Sequence, residues 1–274
     1  MKRSGLFVAT LTLALSVLAA CGNNANNAAP SASQPAASAG QGALEKIKAS
    51  GKLRIGTEGT YAPFTFHDAS GKLTGFDVEI AEEVCKRLGV APEFIETQWD
   101  GIMAGLEAKR FDTIFNEVTI REDRKEKYAL SDPYITSRAV LLVRDDNNDI
   151  KKLADLKGKK SAQSLTSDLA EIAKANGAEI VGVDGFNQAI DLLTSGRVDA
   201  TINDNLSFLD LKKQKPDIKV KSVDEAPGTS RSAALFLKGN DDLVQAVNQA
   251  IAAMILDGTH LSISEKYFGA DVSK

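Results

Sequence analysis

Residues 106–117 and 193–204 align without a gap. Leu106 stands with Leu193, Arg110 with Arg197, Asp112 with Asp199, Asn116 with Asn203, and Glu117 with Asp204. Each segment reads as a helix end, an Arg-x-Asp turn, an apolar strand, then an amide followed by an acid. Helix–turn–strand units resemble one another in general, so chance likeness stays open as one reading. The other constrains the fold far more. It is a pair of similar α/β lobes, each aiming an Asn and a carboxylate at one shared cleft. Strand ends in open α/β sheets face a crevice, and ligands bind there.

The rest of the chain fits the second reading, because helical and apolar segments alternate. A helix over 43–50 stops at Gly51, and strand 53–57 follows. Residues 64–67 and 68–72 read as a strand and a turn. Helix 76–88, strand 93–96, helix 100–108 and strand 111–115 come next. Further on are helix 166–176, helix 186–195, strand 198–203, helix 205–213, strand 232–237, and helices 241–256 and 261–267. The pattern predicts one lobe from residues 43–140 with 232–274 and a second from 141–231. Crossings near Ala139–Val143 and Arg231–Leu235 make a natural hinge.

Residues 1–20 read as a secretory leader, with Lys2 and Arg3 as the positive end and Leu6 to Leu18 as an apolar stretch too short to span a membrane. Leu18, Ala19 and Ala20 before Cys21 resemble a bacterial lipobox, in which Cys21 becomes the lipidated N-terminus. An ordinary cleaved signal with an incidental cysteine is the alternative. Residues 22–42 are Asn, Ala, Ser, Pro, Gln and Gly without periodicity or charge, which reads as a flexible linker reaching roughly 25 Å. Only Cys85 remains in the body, so no intrachain disulfide is possible, and its helical setting makes it a small core residue. Acidic side chains outnumber basic ones, 37 to 33, and the margin widens once Lys2 and Arg3 leave with the leader. That balance argues against nucleic acid as a partner.

Candidate binding groups cluster after the expected strand ends. Arg124 and the Thr119 hydroxyl suit a carboxylate. Ser164, Thr166 and Ser167 precede a helix, where hydroxyls and N–H groups favour an anion or simply cap the helix. Asp204, on the facing lobe, suits an ammonium. Glu58 and Glu117 add negative charge, with surface roles as the alternative. Tyr61 and Trp99 offer flat apolar walls. Phe76 reads as core, and Asp77 and Glu79 as helix cap and solvent face. A free amino acid is a zwitterion and needs partners for both charges when it leaves water; this set provides them. His67 and His260 are the only histidines, and neither is paired in sequence with a Ser or Cys nucleophile. No metal-ligand cluster or Gly-rich phosphate loop occurs, so an enzyme, a metal and a cofactor are not expected.

Three stretches together resemble the bacterial extracellular solute-binding proteins of family 3: residues 56–66 from Gly56 to Phe66, residues 75–81 from Gly75 to Ala81, and residues 116–134 from Asn116 to Tyr134. The resemblance covers about 44–271. It implies a two-lobed, type II periplasmic-binding-protein-like α/β fold, with two domains joined by a two-strand hinge and the ligand cleft between them. It implies the substrate receptor of a polar amino acid ABC importer, a monomer that works with a membrane permease and an ATPase. By position it puts a ligand carboxylate on Arg124, Thr119 and the turn at Thr166 and Ser167, and the ammonium on Asp204. Side-chain contacts fall to Glu58, Tyr61, Trp99, Asn116 and Glu117. Phrases at 59–61, 99–101, 116–120 and 269–272 are most similar to the cystine- and cysteine-binding branch. Glu117 stands where that branch often has Gln, and an extra carboxylate fits the second ammonium of cystine. With Cys21 lipidated, the body sits in the periplasm or outside the cell on a bacterial membrane. A receptor for glutamine or histidine, or a sensor or surface protein keeping the fold, are the alternatives.

Overall fold

In the computed structural model, which describes residues 42–274, helices and strands alternate along the chain. The expected leader, Cys21 and the linker through residue 41 lie outside the described residues. The chain opens with α1 (Ala43–Ser50), β1 (Lys52–Thr57), the short strands β2 (Thr60–Tyr61), β3 (Thr65–His67) and β4 (Leu73–Thr74), α2 (Phe76–Leu88) and β5 (Ala91–Glu96). It continues with α3 (Trp99–Glu107), β6 (Thr113–Ile114), α4 (Glu122–Lys127), β7 (Tyr128–Leu130) and β8 (Ile135–Ser137). Next are β9 (Ala139–Arg144), β10 (Lys160–Gln163), α5 (Asp168–Ala175), β11 (Glu179–Gly182), α6 (Phe186–Thr194), β12 (Ala200–Asp204), α7 (Asn205–Gln214) and β13 (Val220–Glu225). The chain closes with β14 (Ser230–Ser232), β15 (Leu235–Leu237), α8 (Asp241–Leu256) and α9 (Thr259–Phe268).

Two five-stranded sheets make a two-lobed α/β fold. Their orders are β5-β1-β6-β15-β7 and β11-β10-β12-β9-β13. In each, the first three strands run parallel, the fourth runs against them, and the fifth pairs antiparallel with the fourth. The aligned segments therefore end in equivalent strands, β6 and β12, each third in its sheet. The Arg-x-Asp turns are equivalent too. Asp112 accepts the Arg54 N–H at 3.0 Å, and Asp199 accepts the Lys160 N–H at 2.8 Å. One aspartate at the same offset thus pins the start of the neighbouring strand in both sheets, which is a physical reason for the repeat.

Packing follows from periodicity. Leu243, Val247, Ala250, Ile251 and Met254 bury one face of α8, and Ile80, Ala81, Val84 and Cys85 one face of α2. They share a core with Leu53, Ile55, Phe115 and Phe236 from the first sheet. Burying an Ile or Leu side chain of this kind contributes about 1.5–3 kcal/mol. Helix α2 is entered at Gly75, with φ of 130°; a Cβ there would lie 2.1 Å from the Phe64 carbonyl oxygen. The second sheet has its own cores on its two faces, around Val140, Leu142, Ile190 and Leu193, and around Leu141, Ile150, Leu156 and Ile202.

The crossing between the sheets departs from the sequence reading. Residues 139–143 pair along their whole length within the second sheet, from Ala139 with Asp204 to Val143 with Ala200. The chain crosses earlier, through β8, which pairs antiparallel with β14 as a two-stranded ribbon. A run of apolar residues such as 139–143 reads equally well as a crossing or as a buried strand, and burial decided for the strand.

Candidate functional site

The ends of β1, β6, β10 and β12 converge on a cavity of about 220 Å³. From the first lobe come Glu58, Tyr61, Trp99, Asn116, Glu117 and Thr119; from the second, Ser164, Ser167, Asp168, Phe186, Asn203 and Asp204. The segment from Ala226 to Ser230 closes one side.

Asn116 ties two strand ends together. Its Oδ1 accepts the Glu58 N–H at 2.7 Å, and its Nδ2 donates to Glu58 Oε2 at 2.6 Å. Glu58 is held at the wall, where burial outweighs that bond and pushes its pKa up to about 7. Glu117 has φ of 50°, in the left-handed region. Its Oε1 accepts from Ser232 Oγ at 3.1 Å, and its Oε2 is buried without a partner. Asp204 caps α7 by accepting the Leu206 N–H at 2.8 Å. Its other oxygen meets the Ser137 hydroxyl, which also lies 3.4 Å from Glu117 Oε1. One hydroxyl proton cannot serve two carboxylates, so the arrangement is satisfied when one of the pair carries a proton. Burial is the first cause that raises the pKa of both, Asp204 to about 7 and Glu117 well above its ordinary value, with the Asp204 charge adding to the latter.

Arg124 is buried but stands at the edge of the cavity rather than in its wall. Its Nη1 donates to the Thr119 carbonyl at 2.7 Å, and its guanidinium carbon lies 5.5 Å from the centre of the Trp99 ring. The Asp168 carboxylate is 3.9 Å away. Burial lowers the Arg124 pKa, and Asp168 opposes that. Among the described residues, the cavity wall holds four acids, Glu58, Glu117, Asp168 and Asp204, and no Lys or Arg.

Thr166 stands apart from the other candidates. It is exposed and outside the wall; its N–H and hydroxyl both bind Asp100 Oδ1 of the first lobe, at 2.9 and 2.8 Å. Ser167 does line the cavity, and its hydroxyl also caps α5 by accepting the Ala170 N–H at 3.0 Å. Asp100 further accepts the Leu165 N–H at 3.1 Å. Tyr61 donates to Asn203 Oδ1 at 3.0 Å, Ser207 to the Ala62 carbonyl at 3.0 Å, and Arg121 pairs with Glu171 at 2.6 Å. These bonds join the lobes across the cleft, so the structure is a closed arrangement.

Sequence reasoning missed Asp100, Asp168 and Asp77. Asn203, which the repeat aims at the cleft beside Asp204, lines the wall and accepts the Tyr61 hydroxyl. Asp77 is not a cap or a solvent-facing acid but fully buried. It occupies the apolar stripe with Ile80, Ala81 and Val84, and that spacing was the available signal. Among the described residues no group of His, Cys, Asp and Glu is arranged to hold a metal ion.

A two-lobed α/β protein with an acid-lined cleft between its lobes is a solute receptor in architecture, and residues 53–270 match bacterial extracellular solute-binding proteins, family 3. The chain belongs to that family, with the type II fold its members share. It is 46% identical to the L-cystine-binding protein TcyA of Bacillus subtilis over 99% of this chain and 100% of that one. It is 44% identical to TcyJ of Escherichia coli, another L-cystine-binding protein, over 86% of this chain and 90% of that one. Among solved structures, an ancestral arginine-binding protein bound to arginine matches at 40% identity and a TM-score of 0.75, over 80% and 98% of the two chains. The unliganded open L-cystine receptor of Neisseria gonorrhoeae is 48% identical over 85% and 100%, yet superposes at 0.58. More identity with poorer superposition is what an open cleft compared with a closed one produces. An ancestral amino acid-binding protein described as a precursor of cyclohexadienyl dehydratase matches at 34% identity and 0.76, over 83% and 100%. The protein is thus an extracellular solute-binding protein of that family, with its body in the periplasm or outside the cell.

Proposed function

We propose that the protein is the substrate-binding lipoprotein of an ABC amino acid importer, that it binds L-cystine in the cleft, and that it delivers the ligand to a membrane permease. The observation that carries the ligand is the wall of Glu58, Glu117, Asp168 and Asp204 with one guanidinium, Arg124, at its edge. Cystine has two ammonium groups. Asp204 takes one, and Glu117 with Glu58 takes the other. Arg124, helped by Thr119, takes a carboxylate, and Ser164, Ser167 and the N–H groups opening α5 take the second. Tyr61, Trp99 and Asn116 shape the wall. Thr166 acts through the latch with Asp100. The cystine-binding relatives at 44–46% identity support the same ligand.

The lobes divide at the ribbon and close on the ligand, and the closed form is what the permease reads. The working unit is a monomer. Cys21 carries the lipid, and the linker lets the body turn near the membrane. The reading has no chemical step and needs no cofactor. An excess of acid also suits a cationic side chain, so an amino acid such as arginine or histidine is the second reading.

Isothermal titration of residues 43–274 with L-cystine and with L-cysteine under reductant tests this, after unfolding and refolding to strip carried ligand. Tight cystine binding with weak cysteine binding is expected. Cystine losing to arginine, histidine or glutamine in competition rejects it.

A further inference from the structure

In an extended strand, neighbouring side chains point to opposite faces. Asn116 and Glu117 follow β6 after Phe115, yet both line the cavity. The left-handed backbone of Glu117, φ 50°, is what turns two consecutive side chains the same way. A bulky L-residue rarely adopts that conformation unless its surroundings hold it there. The hold comes from Asp77, in the first turn of α2: its Oδ2 accepts the Glu117 N–H at 2.6 Å, 40 residues away in sequence. Asp77 has no exposure to solvent, and its Oδ1 has no hydrogen-bond partner. The Tyr134 hydroxyl lies beside it, on a ring stacked 5.7 Å from Phe115. Glu117 is therefore fixed at both ends, its amide by Asp77 and its carboxylate by Ser232 of the ribbon.

We propose that Asp77 is a positioning residue for ligand selection: its buried carboxylate enforces the turn that presents Asn116 and Glu117 to the ligand together. This rests on the functional reading above only for the ligand used as probe. Asp77 touches no ligand and acts through the Glu117 backbone.

Four variants of the full chain test it: Asp77→Ala, Asp77→Asn, Glu117→Gly and the Asp77→Ala/Glu117→Gly pair. Without ligand, hydrogen exchange at the Glu117 amide is expected to accelerate roughly a hundredfold in Asp77→Ala while amides of β1 and α8 are unchanged. Binding of L-cystine is expected to weaken roughly tenfold in Asp77→Ala and to recover in Asp77→Asn, whose carbonyl oxygen still accepts the N–H. In the Glu117→Gly background the Asp77→Ala change is expected to cost less than about threefold, because glycine takes the turn unaided. Should Asp77→Ala fail to fold, glycine at 117 is expected to restore folding. Equal losses in both backgrounds, an unchanged Glu117 amide, or a pair variant that stays unfolded would each overturn the proposal. A wild-type protein that ignores L-cystine counts against the functional reading alone, and the exchange measurement still decides the role of Asp77.

Discussion

Arg124 spends one guanidinium nitrogen on the Thr119 carbonyl and keeps the remainder near Trp99 and Asp168. A ligand carboxylate arriving there completes a desolvated charge pair, and truncating one partner of such a pair costs about 2–5 kcal/mol. Arg124→Ala is therefore expected to weaken amino acid binding by roughly thirtyfold or more, read by titration calorimetry. Binding within about threefold of wild type would reject the role. Asp204→Asn keeps the shape of the α7 cap and removes the charge that meets an ammonium. It is expected to weaken binding by roughly tenfold or more with little change in thermal stability, because an amide oxygen still accepts the Leu206 N–H. At this scale residue type and strand-end position were enough to nominate Glu58, Tyr61, Trp99, Asn116, Glu117 and Asp204. They were not enough for Asp77, whose partner is remote in sequence, or for Thr166, whose partner Asp100 sits on the other lobe.

Among elements, the turn before α5 and the start of α3 face each other across the cleft through Asp100. These bonds lie outside the cavity and exist only while the lobes are together. Asp100→Ala is expected to speed ligand release and weaken affinity by about two- to tenfold without removing a ligand contact, with the change in the off-rate. An unaltered off-rate in stopped-flow fluorescence of Trp99, the only tryptophan, would show that the contact holds nothing. Helix α2 offers a different measurement. Ile80→Ala in its fully buried stripe is expected to cost about 2–5 kcal/mol of stability, seen as a lowered chemical-denaturation midpoint. Most helices were legible because three- and four-residue spacing of apolar positions is a local property. The ends of α5 were less so, since Thr166 and Ser167 belong to a turn and a cap rather than to the helix.

The whole molecule brings like charges together when it closes empty. Glu58 and Asp204 are pushed up to about 7 by burial in the closed cleft. An open cleft returns them to water and toward ordinary carboxylate values. The closed empty form thus binds more protons than the open one. Its stability relative to the open form is present below the ordinary carboxylate range and is lost as pH rises through about 7. Small-angle scattering of ligand-free protein is expected to show a larger radius of gyration at about pH 8 than at about pH 5, and saturating ligand is expected to reverse the expansion by supplying ammonium charge. A radius independent of pH and ligand would contradict closure driven by these acids.

The sequence by itself determined the alternation of elements, the two equivalent Arg-x-Asp turns and the residue types at the strand ends, because periodicity, turn chemistry and strand-end placement are encoded within a few neighbouring positions. Only the tertiary structure decided that 139–143 is a buried strand, that Asp77 holds Glu117, that Asp100 latches Thr166, and that one serine hydroxyl lies between two carboxylates. Each of those depends on which residues, distant along the chain, are excluded from water together, and burial is a property of the assembled fold.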